Sequence, residues 1–131
     1  MDIIEFLKAR LDEEEAAAKA AGGAPWTDYV PGMVHVDPKA RAENKHAFGR
    51  QGYIASAEHD GIRAHIALHD PARVLREVAA KHAILLQYTD AVTDWEEDSE
   101  APDAVGALEA VVRRMAGVYA DHPDYRQEWA S

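Results

Sequence analysis

His65 and His69 are the residues of this sequence best suited to do chemistry. They stand four apart in Ile62-Arg-Ala-His65-Ile-Ala-Leu-His69-Asp70-Pro71. On a helix that spacing projects both imidazoles from one face, a two-point grip on zinc or another divalent metal, whose nitrogen ligands sit about 2.0–2.1 Å away. Two ligands do not complete a site. Asp121-His122 is the first choice for the third, with His82 next and His59 after it, and Pro123 stiffens the turn that follows His122. An open fourth position would admit metal-bound water and metal-dependent hydrolysis; a closed one would make the ion structural. No glutamate lies between the two histidines, so the zinc-protease motif is not met. The competing reading is structural: His65 packs beside Ile62 and Ile66, and His69 sits at a helix C-terminus, where the dipole favours a cation.

The elements that position this pair follow from one dipeptide. Proline disfavours helical geometry in the residue before it, and aspartate is a preferred N-cap with proline at the first helical position. Asp70-Pro71 therefore ends a short helix at about His69 and starts a longer one. Asp70 is expected to accept a hydrogen bond from the backbone of Ala72 or Arg73; the alternative is that it orients a histidine as a supporting partner. Ile62, His65, Ile66 and His69 share the face of the short helix. The long helix is predicted from Pro71 to about Asp94, with Val74, Leu75, Val78, Leu85 and Val92 on one side and His82 within that stripe.

Upstream, residues 2–21 read as a helix capped by Asp2, with Ile3, Leu7, Leu11 and Ala18 as a narrow apolar stripe and Glu13 to Glu15 as a solvated face. Gly22-Gly23 ends it. Residues 24–57 are punctuated by proline and glycine and contain three β-prone pieces: Trp26 to Val30, Met33 to Val36, and Tyr53 to Ala55. They predict a small antiparallel sheet or hairpin over 26–57. Lys39, Arg41, Lys45, His46 and Arg50 read as a solvated basic loop. Downstream, Val105, Leu108, Val111, Val112, Met115 and Val118 predict a helix from about Asp103 to Tyr119. The tail 119–131 carries Tyr119, Tyr125 and Trp129, which suits a terminus packed on the domain. The fold class is thus α+β and mainly helical: three amphipathic helices and a short helix with a small sheet, in a single compact domain over 1–131. Leu75, Val78, Leu85, Leu108, Val112 and Met115 are expected to be buried.

Charge narrows the partners. The chain has 131 residues, a net charge of −10 and no cysteine. Disulfides, thiolate metal sites and cysteine nucleophiles are excluded. Free nucleic acid is disfavoured, because such binding depends on neutralising phosphates. Residues 90–103 hold seven acidic residues and no basic one, with Trp95 among them. Residues 94–103 read as a mobile acidic turn in which Trp95, Glu96, Glu97 and Asp98 can meet a protein partner with a basic surface; the spacing does not match a calcium loop. No apolar run approaches the roughly 20 residues that span a membrane, and Met1-Asp-Ile-Ile-Glu lacks a signal peptide's basic start, so a cytoplasmic location is expected. Serines and threonines occur in no nucleophile-elbow context, and no dinucleotide or mononucleotide motif is present.

The run from His65 to Val78, the later Tyr119-Ala-Asp-His-Pro-Asp-Tyr-Arg126, the N-terminal Phe6-Leu-Lys-Ala-Arg-Leu11 with Glu13 to Glu15, and Pro25-Trp26 together resemble a family of short uncharacterised proteins from actinomycetes and their phages. The resemblance covers the helical parts and implies one compact domain; it brings no catalytic residues. The leading expectation is therefore a small interaction or regulatory module with a candidate histidine metal site at His65, His69, Asp121 and His122. The alternatives are a metal-dependent hydrolase using the same residues and an acidic mimic of nucleic acid.

Overall fold

Asp70 occupies the joint the sequence assigns to it. In this computed structural model, which describes residues 1–43, 52–98 and 104–130, its Oδ1 accepts the Arg73 backbone N–H at 2.7 Å. Its Oδ2 accepts the Trp26 N–H at 3.1 Å. One carboxylate thus caps a helix and ties a strand to it.

The elements run in the order α1 (Ile3–Ala20), β1 (Trp26–Thr27), β2 (Met33–Val36), α2 (Pro38–Glu43), β3 (Tyr53–Ser56), α3 (Asp60–Leu68), α4 (Pro71–Glu97) and α5 (Ala104–Gly117), then a 3₁₀ turn at Gln127–Trp129. The fold is α+β and mainly helical. Chain contacts divide it into two compact units, Met1–Asp12 with Ala79–Ser131, and Glu13–Val78.

The first unit is built on α1's beginning. Asp2 and Glu5 form a reciprocal capping box: Glu5 N–H donates to Asp2 Oδ1 at 2.8 Å and Asp2 N–H to Glu5 Oε2 at 2.9 Å. Phe6, Leu7 and Leu11 are buried with Leu85, Val112, Ala116 and Trp129. Phe6 is the centre of this core. The rings of Tyr119, Tyr125 and Trp129 lie 6.2, 6.2 and 5.0 Å from its ring, and Arg113 holds the chain end by donating to the Glu128 carbonyl at 2.7 Å.

The second unit holds the sheet. α1 stops at Gly22, whose φ of +100° is a conformation that glycine adopts without penalty. The three strands pair antiparallel in the order β1-β2-β3, with Trp26 opposite Val36 and Val34 opposite Ala55. Pro31-Gly32, with φ +80° at Gly32, makes the turn before β2. Val34 and Val36 are buried with Ala18, Ala24 and Val78.

Three expectations are corrected. Part of the basic loop is a helix, α2: Asp37 accepts the Lys39 and Ala40 N–H groups at 3.0 and 3.2 Å, so Asp37-Pro38 repeats the device of Asp70-Pro71. Lys45, His46 and Arg50 lie outside the described residues. α4 continues to Glu97, so Trp95, Glu96 and Glu97 are helical and not a turn. Asp98 extends the ladder, its N–H bonded to the Asp94 carbonyl at 2.9 Å. Glutamate is a good helix former, and the helix-disfavouring signal comes only at the residue before Pro102. Leu75, Leu108 and Met115 are half-buried, while Val78, Leu85 and Val112 are fully so.

Candidate functional site

α3 presents the histidine pair. His59 caps this helix through its Nδ1, which accepts the Gly61 N–H at 2.9 Å, so this imidazole has a structural task. Arg63 is 8% exposed; its guanidinium donates to the Ala57 carbonyl and pairs with Asp60. His65 and His69 are both exposed, with ring centroids 4.3 Å apart and planes tilted by 38°. His69 Nδ1–H donates to the His65 carbonyl at 2.7 Å. That bond fixes the tautomer and makes Nε2 the ring nitrogen that carries the lone pair, the arrangement seen when an imidazole's other nitrogen ligates a metal.

The other histidines named from sequence are held elsewhere. His122 packs edge-on to Phe6, ring centroids 5.6 Å apart. Its Nδ1 accepts the Asp124 N–H at 3.1 Å and lies 2.8 Å from Arg10 Nη1. Arg10 is 7% exposed and also stacks over Phe6, 5.3 Å from its ring centre. His122 thus helps seat the C-terminal segment on α1, and Asp121 beside it is exposed. His82 lies 3.9 Å from Asp12. His65 and His69 belong to one compact unit, His82, Asp121 and His122 to the other. Among the described residues, no group of three or more His, Asp or Glu side chains is gathered so that it could hold a metal ion.

The acidic end of α4 is the second chemically distinctive place. Trp95 is 49% exposed there, between Asp94 and Glu96. Asp90, Asp94 and Asp98 follow i, i+4 spacing, so three carboxylates stack in a column along the helix. The last turn contains no basic residue. Both features oppose helix stability: like charges four apart repel, and the C-terminal dipole favours cations.

The buried arginines 10 and 63 escaped sequence reading. Arginine is rarely buried unless paired, and the pairing of Arg10 with His122 across 112 residues leaves no local signature. Asp60 three residues before Arg63 was the one local hint.

Among the described residues no helix is long and apolar enough to cross a membrane. The sequence model of a family described as "Family of unknown function (DUF6221)" matches residues 1–131. No curated protein and no solved structure matches the chain.

Proposed function

We propose, for a chain that belongs over residues 1–131 to a family of unknown function, that it is a small interaction module which docks a basic protein surface on the acidic end of α4. The observation that carries this reading is the exposed Trp95 set among carboxylates at the wrong end of a helix dipole. Each such charge costs the helix about 0.3–1 kcal/mol at low ionic strength. A partner's lysines or arginines would relieve that cost by pairing with Asp94, Glu96 and Glu97. Tryptophan supplies the anchor: it is enriched at binding hot spots and is the best aromatic face for a cation.

The experiment is site-specific photocrosslinking from position 95 in the native host, with Trp95 replaced by a photoreactive phenylalanine. The reading expects crosslinks to a lysine- or arginine-rich segment of one partner, lost when Glu96, Glu97 and Asp98 are changed to lysine. Crosslinks that survive the charge reversal, or the absence of any above background, would reject it.

A further inference from the structure

We infer that His65 and His69 form half of a zinc site, completed by the same pair from a second copy of this chain. Tetrahedral zinc with bonds of about 2.0–2.1 Å places two ligating nitrogens roughly 3.3 Å apart. Rings whose centroids already lie 4.3 Å apart reach that separation by small side-chain rotation. The Nδ1–H of His69 is spent on the His65 carbonyl, so its Nε2 is the free donor.

The neighbouring carboxylates are engaged. Asp70 accepts two backbone N–H groups, and Asp60 is paired with Arg63. Among the described residues no third ligand joins the pair. A two-fold related copy supplies the two nitrogens that a closed tetrahedral site requires.

The surface around the pair suits that partner. At about 100° per residue, Ile62, His65, Leu68 and His69 fall within roughly 120° of arc on α3. Ile62 and Leu68 are 53% and 60% exposed. Between residues 61 and 69 the one formally charged side chain is Arg63, which is buried. On a chain of net charge −10 this neutral stretch lets two copies approach with little repulsion, and a divalent cation between them offsets the rest. Ile62 and Leu68 would bury against the second copy. The pair shares no residue with the acidic end of α4, so the two proposals stand or fall independently.

The test is the mass of tag-free protein in solution, by light scattering after gel filtration, with EDTA and with zinc chloride. In EDTA the mass is that of one 14.4 kDa chain; zinc doubles it, saturating at about one ion per two chains. Cobalt in place of zinc gives the intense visible bands of a tetrahedral centre. His65→Ala and His69→Ala lose the doubling and the cobalt bands, while their circular dichroism in EDTA matches the parent. Leu68→Glu weakens the zinc-bound dimer through the interface alone. Zinc binding at one ion per chain with no change of mass would overturn the second copy's role. Doubling that persists in both histidine variants would overturn the assignment of ligands. No response to either metal would overturn the site altogether.

Discussion

Replacing Asp70 separates its two tasks. Asp70→Ala removes both hydrogen bonds at once. Loss of an N-cap costs about 0.5–2 kcal/mol. The Trp26 N–H, part-buried in the structure, loses its acceptor as well, which adds about 1–3 kcal/mol for an unsatisfied donor. The sum is about 2–4 kcal/mol, below the two maxima because the Trp26 N–H is only partly shielded from water. Asp70→Asn keeps one oxygen for the cap but replaces the other with an amide N–H₂, which cannot accept. It should therefore cost about 1–2 kcal/mol, the strand tie alone. Urea denaturation followed by circular dichroism gives both values. The order Ala worse than Asn is the prediction. Equal losses would show that the tie to Trp26 contributes everything and the cap nothing, while an Asn variant as stable as the parent would show the reverse. A total below 0.5 kcal/mol for Asp70→Ala would refute the reasoning on both counts.

Other consequences are as direct. Leu85→Ala, at a residue 1% exposed, should cost about 2–5 kcal/mol in the same assay. Phe6→Ala should cost about 3–5 kcal/mol, and Trp129 emission should shift to the red as the C-terminal segment loosens. Glu97→Lys should raise the melting temperature at low ionic strength, by an amount that fades as salt is added. Burial raises the pKa of the Tyr88 phenol above its ordinary value of 10.0, with Glu109 and Asp2 adding to the shift and Arg113 opposing it. The folded state therefore holds this proton more tightly than the unfolded chain does. The resulting stability is full below pH 10.0 and is lost as pH rises through the folded value. Tyr88→Phe should flatten that alkaline edge in pH-dependent denaturation.

Much of the fold is legible in local chemistry. Asp70-Pro71 announces a helix boundary because both residues act on the backbone immediately around them. The strands announce themselves through Pro31-Gly32 and the alternation of Met33 to Val36. Asp37-Pro38 carried the same signal as Asp70-Pro71 and was obscured by the basic residues that follow it. The reach of α4 past Asp94 was hidden by reading the charge run as a loop, although its glutamates favour helix. Phe6 could not be found this way: its importance lies in Tyr119, Tyr125 and Trp129, more than a hundred positions along the chain. The candidate site divides on the same line. The i, i+4 spacing of His65 and His69 places them together from sequence alone. The hydrogen bond that fixes the tautomer of His69, and the engagement of His122 with Arg10, depend on side-chain geometry that no spacing encodes.

The role proposed for the acidic end of α4 is to bind a basic partner. Its most direct measurement is the partner's affinity, by isothermal titration across a salt series, for the parent and for Glu96→Lys/Glu97→Lys/Asp98→Lys. Parent affinity should fall steadily as the Debye length shortens from about 10 Å at 0.1 M to about 3 Å at 1 M salt. The charge-reversed protein should bind at least tenfold more weakly at low salt, about 1.4 kcal/mol or more. Equal affinities for the two proteins, independent of salt, would contradict it.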